Sequence, residues 1–164
     1  MPDEANNESN LENRLIAERY QVKHCIGEGA MGSVYYAEDV QLRRTVALKV
    51  MRKSLLQRPE IRERLEHECR IMAHIGPHPN IVTLFDRLEY EGNAILVLEF
   101  IKGQTLDEII EKTRAQNDNE ASKRATRIVS APTHDIILTQ KFAIQIVQQC
   151  LNALDYAHDK GIVH

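Results

Sequence analysis

The feature that most constrains this chain is a glycine-rich stretch followed by a short apolar run that ends in a lysine. Gly27, Gly29 and Gly32 follow the order G-x-G-x-x-G, and Lys49 comes directly after Val46–Leu48. Because glycine has no Cβ, its backbone can approach a ligand closely and can adopt positive φ. The stretch therefore predicts a turn between two strands that covers a polyphosphate, with the Lys49 ammonium facing the phosphates from a buried strand.

The G-x-G-x-x-G pattern alone is weak evidence, because dinucleotide-binding folds use it as well. In those folds the glycines open a helix, whereas here they precede Ser33–Ala37, which is β-branched, aromatic and typical of a strand. A Walker A motif is excluded because no Gly-Lys-Ser/Thr follows the glycines. A glycine-rich hairpin that only turns the chain is the remaining alternative, and Lys49 counts against it.

Hydrophobic patterns along the chain predict an α+β fold. Strands are expected at Tyr20–Ile26, Val34–Asp39, Thr45–Met51, Ile81–Leu88 and Ala94–Phe100. Helices are expected at Pro59–Ile75, at Gln104 to about Ala115, and from Thr139 to about Lys160.

The first long helix carries a carboxylate on its apolar face. Its apolar stripe consists of Ile61, Leu65, Met72 and Ile75. Glu68 falls on the same stripe, and a carboxylate on an inner face is costly unless a cation meets it. Lys49 is the candidate cation. A solvated Glu68, with Glu63 or Glu66 as the partner of Lys49, is the alternative.

Taken together, these motifs resemble the nucleotide-binding lobe of protein kinases. The resemblance is carried by I-G-E-G-A-M-G-S-V, by V-A-L-K, by the stretch from Glu68 to H-P-N-I-V, and by E-F-I-K-G. The pattern R-Y-x-V…L-R-R-x-V-A-L-K-V looks most like that of bacterial serine/threonine kinases of the eukaryotic-like (Hanks) type. It implies a five-stranded antiparallel sheet with one regulatory helix, followed by the first helices of an α-helical lobe.

The resemblance implies an ATP site in which a lid covers the phosphates and a catalytic pair of charged residues acts on them. Lys49 would bind the α- and β-phosphates, and Glu68 would orient Lys49 as its ion-pair partner. The lid would consist of Ile26, Gly27, Glu28, Gly29, Ala30, Met31, Gly32, Ser33 and Val34.

The resemblance also implies where the adenine ring would lie. Leu98 would line the back of the pocket, and the backbone of Glu99 and Ile101 would meet the adenine edge. The ring would lie between the apolar side chains of Ile26, Val34 and Ala47. A flat purine needs such apolar walls together with a few hydrogen bonds at its edge.

The chain is predicted to contain three segments. Residues 1–18 are acidic and asparagine-rich, which is typical of a disordered lead-in. Residues 19–101 are the predicted nucleotide-binding lobe, and residues 102–164 are a partial helical lobe. Residues at about 116–135 lose all periodicity, and we expect a mobile insertion there.

The chain ends at His164, which resembles the histidine that opens the H-R-D catalytic loop of kinases. By that resemblance the catalytic Asp, and the Asn and D-F-G Asp that bind Mg²⁺, would come after it. We therefore expect no metal ligands in this chain and no phosphoryl transfer by the 164 residues alone. The alternative function is a non-catalytic nucleotide-binding or protein-interaction module, a truncated pseudokinase.

Composition narrows the choice of partners and location. The net charge is −3, so bulk binding to nucleic acid or to an anionic membrane surface is not expected. Cys25, Cys69 and Cys150 are too scattered for a disulfide framework or a metal site, which suits a reducing compartment. We find no membrane span or signal peptide and expect a cytoplasmic protein. The implied partners are ATP and, in the complete enzyme, a protein substrate.

Overall fold

The computed structural model describes residues 11–123 and 138–162, with side chains up to residue 115 and from residue 138. Its strands are β1 (Leu15–Ile16), β2 (Tyr20–Gly29), β3 (Gly32–Asp39), β4 (Arg44–Met51), β5 (Leu84–Tyr90) and β6 (Asn93–Glu99). Its helices are α1 (Lys53–Leu56), α2 (Pro59–Ile75), α3 (Leu106–Lys123) and α4 (Gln140–Asp159). The chain divides into two compact units: the first runs to Ile101 and includes the chain from Ala157, and the second is Lys102–Tyr156.

The first unit is built on one antiparallel sheet with the strand order β1-β2-β3-β4-β6-β5. The predicted α+β fold and the predicted antiparallel sheet with one long helix are confirmed. All five predicted strands form, and the two-residue β1 adds a sixth to the edge of β2. The fourth predicted strand begins at Leu84 rather than Ile81.

Alternation along the strands gives the sheet two distinct faces. One face holds an apolar core that includes Val46 and Leu48 of β4 and Ile95 and Val97 of β6. The other face packs against α2 in a second cluster that includes Met51, Leu65, Cys69, Ala94 and Leu96. Lys49 lies between Leu48 and Val50 on β4 and therefore shares the face of α2.

The prediction that residues 1–18 are disordered is wrong from Leu11 onward. Leu11 and Ile16 are 1% and 0% exposed and belong to the apolar core. The segment is held by backbone hydrogen bonds, in which the Asn13 N–H donates to the Val22 carbonyl and the Val22 N–H donates to the Arg14 carbonyl. Residues 1–10 lie outside the described residues.

The predicted insertion also begins later than the sequence pattern suggests. Helix α3 continues to Lys123, so the prediction of a mobile insertion is wrong for residues 116–123. Residues 124–135 lie outside the described residues. Helix α4 begins after Thr139, whose hydroxyl accepts the Phe142 N–H at 3.2 Å, as expected of an N-cap.

A buried carboxylate joins the start of β2 to the end of β3. Asp39 is 0% exposed and accepts two hydrogen bonds from the Arg19 guanidinium, at 3.0 and 2.7 Å, and one from the Leu42 N–H. These donors hold the pKa of Asp39 below its usual range, with Arg19 as the main cause. The ionised form of Asp39 therefore stabilises the folded chain.

We expect Asp39→Asn to lower the free energy of unfolding at pH 7 by about 2 kcal/mol. Breaking a buried pair typically costs about 3–5 kcal/mol, but Arg19 is 26% exposed and can be rehydrated. Because the folded-state pKa is depressed, this stabilisation is complete above the ordinary Asp pKa of about 4 and is lost as pH falls below it. Denaturant unfolding at pH 7 and at pH 3 measures how much Asp39→Asn lowers the free energy of unfolding at each pH. The exposed Asp155→Asn is the control. If Asp39→Asn lowers the free energy of unfolding equally at both pH values, the ionised form of Asp39 does not stabilise the fold.

Candidate functional site

The glycine-rich stretch forms the tip of the hairpin between β2 and β3. The register pairs Gly27 with Val34, Glu28 with Ser33, and Gly29 with Gly32, so that Ala30 and Met31 make the turn. A β-bulge between Cys25 and Gly27 removes Ile26 from the ladder. The hairpin tip is open to solvent, with Ile26 46% and Met31 58% exposed.

The three glycines serve different purposes. At Gly32, φ is +146°, and a Cβ would lie 1.9 Å from the Val50 carbonyl oxygen. Gly32 is therefore required by the close approach of β3 to β4. At Gly27 and Gly29, a Cβ would meet no atom within 4 Å. Packing does not explain these two glycines, and their open space is what a ligand above the backbone would need.

Lys49 lies opposite Val34 on β3 and opposite Leu96 on β6. It is half-buried on the same sheet face as Ala47, which is 8% exposed. Among the residues that the structure describes, Lys49 has no ion pair and no hydrogen bond from its ammonium group. Within that part of the chain, the Lys49 ammonium therefore has no acceptor of its own.

Glu68 does not meet Lys49 in this structure, and the expected contact between them is absent. The Glu68 side chain is 54% exposed and accepts a hydrogen bond from Arg64 Nε at 2.9 Å. Leu65 and Ile75 are buried as predicted, but Cys69 rather than Glu68 completes the buried face of α2. The sequence pattern predicts Glu68 on the buried face, and this prediction is wrong by one residue.

The alternative partners of Lys49 are also directed elsewhere. Glu66 lies 3.6 Å from Arg62 and 4.0 Å from Arg87. Glu63 is exposed on α2. None of the three glutamates considered from the sequence therefore supplies a counter-ion to Lys49 in this structure.

The predicted adenine-binding segment follows β6. The Glu99 N–H donates to the Thr83 carbonyl at 2.9 Å, so this N–H is not available to an adenine edge. Leu98 packs against the cluster under α2, and Ile101 is 59% exposed. Of the predicted apolar walls, Val34 lies on β3 and Ala47 on β4, while Ile26 lies in the bulge.

An aromatic contact connects the hairpin to this segment, and sequence reasoning missed it. The Tyr36 ring stacks on His24 at 5.2 Å and meets the edge of Phe100 at 4.9 Å. Tyr36 pairs with Ala47 across the sheet, so it lies on the face of Ala47 and Lys49. The sequence does contain a signal for this position of Tyr36. Tyr36 is two residues from Val34 on the same strand, so both side chains lie on one face of the sheet.

Comparison with known proteins identifies the family of this chain. The protein kinase domain matches residues 20–164, and the chain therefore belongs to the protein kinase family. The predicted resemblance to bacterial kinases of the Hanks type is confirmed. No helix in the described ranges is both long enough and apolar enough to span a membrane.

Similar proteins include bacterial serine/threonine kinases. The chain is 32% identical to serine/threonine-protein kinase PrkC of Bacillus subtilis over 151 residues, which are 92% of this chain and 20% of PrkC. It is 34% identical over 159 residues to a probable serine/threonine-protein kinase PknB of Bifidobacterium longum, again covering 92% and 20%. The crystal structure of the M. tuberculosis PknI kinase domain is similar with a TM-score of 0.65 and 26% identity, covering 93% of this chain and 52% of that one. The chain thus spans about a fifth of the length of these curated relatives.

Proposed function

We propose that this chain binds ATP and that, in the complete kinase domain, it presents the nucleotide for phosphoryl transfer to serine or threonine of a protein substrate. The observation that carries the proposal is Lys49, a half-buried lysine that has no counter-ion among the described residues and lies opposite Val34 of the glycine-rich hairpin. Phosphate oxygens are the acceptors that such an ammonium lacks. Membership of the kinase family supports the same assignment.

Each part of the site has a task in this proposal. The backbone N–H groups of residues 26–34 cover the phosphates, and the absence of a Cβ at Gly27 and Gly29 lets them approach. Lys49 binds the α- and β-phosphates. Val34 and Ala47 contact the adenine ring, and the Glu99 carbonyl accepts a hydrogen bond from its edge.

Mg²⁺ neutralises phosphate charge in kinases, and it is held there by an Asn and by the Asp of D-F-G. Neither a D-F-G nor the Asp of an H-R-D occurs among these 164 residues. We therefore propose that this stretch of chain binds nucleotide but does not transfer phosphate by itself.

The test is calorimetric titration of the chain with a non-hydrolysable ATP analogue and Mg²⁺, together with an assay of phosphate transfer from ATP to a protein mixture. We expect one binding site per chain and no transfer above background. A folded chain, shown by circular dichroism, that binds no nucleotide would contradict the proposal. Phosphate transfer by the chain would contradict only the proposal that this stretch does not transfer phosphate by itself.

We propose that Glu68 exchanges Arg64 for Lys49 when ATP is bound. The pair that must break is exposed and spaced i,i+4, and such pairs contribute only about 0.3–0.5 kcal/mol. The burial of Leu65 and Cys69 is the larger resistance to rotating α2. Glu68→Gln should then weaken binding of the ATP analogue, whereas Glu63→Gln, on the same helix, should not. If Glu68→Gln and Glu63→Gln bind the ATP analogue with equal affinity, Glu68 is not part of the nucleotide site.

A non-catalytic nucleotide-binding or interaction module is the second candidate. The observation that favours it is the orientation of Glu68, because a pair needed for catalysis is not formed. Weak nucleotide binding that is insensitive to Lys49 would support this reading. For either function we propose a cytoplasmic location, supported by the need for ATP and by the free thiols of Cys25, Cys69 and Cys150.

A further inference from the structure

The segment that precedes the sheet holds one edge of the glycine-rich hairpin. A carboxylate oxygen of Glu12 accepts a hydrogen bond from the Cys25 N–H at 2.8 Å. On one side of Glu12, Leu11 is buried in the apolar core, and on the other side the Asn13 N–H donates to the Val22 carbonyl. Glu12 is therefore anchored at both of its neighbours, and its carboxylate is a fixed acceptor for Cys25.

The two strands of the hairpin are supported unequally. Strand β3 is paired with β4 from end to end, so its position is set by the sheet. Strand β2 has β3 on one side, and its other edge contacts residues 12–16, first through the β1 ladder and then through the Glu12 side chain. The position of the hairpin tip therefore depends on how firmly this outer edge of β2 is held.

Cys25 lies at the point where the hairpin becomes exposed. The β-bulge between Cys25 and Gly27 follows directly, and every residue from 26 to 31 is exposed. The Cys25 Sγ lies 3.4 Å from the Gly27 carbonyl oxygen and 3.5 Å from the Val34 carbonyl oxygen. Cys25 thus connects the Glu12 carboxylate to both strands of the glycine-rich stretch.

We propose that Glu12 is a positioning residue for the phosphates of the nucleotide. By accepting the Cys25 N–H, Glu12 holds β2 at the distance from which the backbone N–H groups of residues 26–34 reach the phosphates. This role rests on the proposed binding of ATP and gives the segment before the sheet control over it. A hairpin that is held in place before the ligand arrives loses less entropy on binding, so its affinity for phosphates is higher.

The test compares a non-hydrolysable ATP analogue with adenosine, which has no phosphates, in calorimetric titrations of two variants. Glu12→Ala should weaken the ATP analogue about fivefold and leave adenosine unchanged, because only the analogue has phosphates for the hairpin N–H groups. Glu12→Gln should restore the affinity to within about twofold of the unmodified chain, because its amide oxygen can accept the same N–H. Amide hydrogen exchange at Cys25 should be faster in the alanine variant alone.

Glu38→Ala is the matched control. Glu38 lies on β3 of the same hairpin, and its carboxylate is 3.4 Å from the Lys23 ammonium at the surface. This variant should keep both affinities. If the unmodified chain binds both ligands, an equal loss of both in Glu12→Ala, or no loss of either, overturns the role of Glu12 alone. If the unmodified chain does not bind the analogue, the proposed function is overturned and the role of Glu12 with it.

Discussion

Lys49→Met is expected to weaken binding of a non-hydrolysable ATP analogue by roughly 10- to 100-fold, because charge-assisted hydrogen bonds contribute about 1.5–3 kcal/mol each. Lys49 has no ion pair to lose among the described residues, so the folded chain should not be destabilised by the change. Methionine keeps the length and the apolar stem of the side chain, and only the ammonium is removed. Calorimetric titration gives the affinities, and a thermal melt gives the stability.

Lys23→Met is the matched control for this variant. Lys23 also lies on a strand of the hairpin, but its ammonium is 3.4 Å from Glu38 on the surface. Its removal should leave nucleotide affinity unchanged. If Lys49→Met binds the analogue as tightly as the unmodified chain, the assignment of Lys49 to the phosphates is wrong.

Alanine at the three glycines is expected to separate folding from ligand binding. Gly32→Ala should lower the free energy of unfolding by about 3 kcal/mol, because a Cβ there meets the Val50 carbonyl oxygen and φ is +146°. Gly27→Ala and Gly29→Ala should change it by less than about 0.5 kcal/mol, because nothing lies within 4 Å of the added methyl group. The same two variants should nevertheless bind the ATP analogue about tenfold more weakly.

Denaturant unfolding and titration of the three variants test this division directly. Gly27→Ala and Gly29→Ala serve as each other's control, since both add a methyl group to the exposed hairpin tip. Unchanged nucleotide affinity in both would mean that their open space is not used by the phosphates. A stability loss as large as that of Gly32→Ala would mean that the hairpin tip is packed in solution.

The sheet could be predicted because its signals are local. Apolar runs such as Val46–Leu48 and Leu96–Leu98, separated by turn residues, define strands without reference to the rest of the chain. The faces of β3 and β4 follow from the same alternation, which places Val34, Ala47 and Lys49 together. Periodicity and the glycine pattern therefore place the hairpin and these three residues, whereas the adenine-binding residues are implied by the resemblance to kinases.

The orientation of α2 could not be predicted in the same way. Glu68 and Cys69 are neighbours, about 100° apart around a helix, and a stripe through Leu65 and Ile75 tolerates either on its inner side. The structure buries Cys69 against the cluster that contains Met51 and Leu96. Glu68 instead lies 2.9 Å from Arg64 on the exposed side, and the burial of Cys69 depends on packing against the sheet, which leaves no local pattern in the sequence.

The segment at the start of the described chain was missed for a related reason. Its surroundings are acidic and polar, and isolated apolar residues such as Leu11 and Ile16 carry no periodic signal. Their burial depends on an apolar sheet face that has to be covered, which is a property of the folded sheet and not of the segment. The Arg19–Asp39 contact is likewise long-range and leaves no local pattern.

The most direct test of the nucleotide site is a map of backbone amide signals during titration with the ATP analogue. If the glycine-rich hairpin and Lys49 hold the phosphates, the largest shifts should fall at Gly27, Gly29 and Lys49, with further shifts at Phe100 and Ile101. Saturable binding that leaves the hairpin signals unmoved would contradict the account, whatever the affinity.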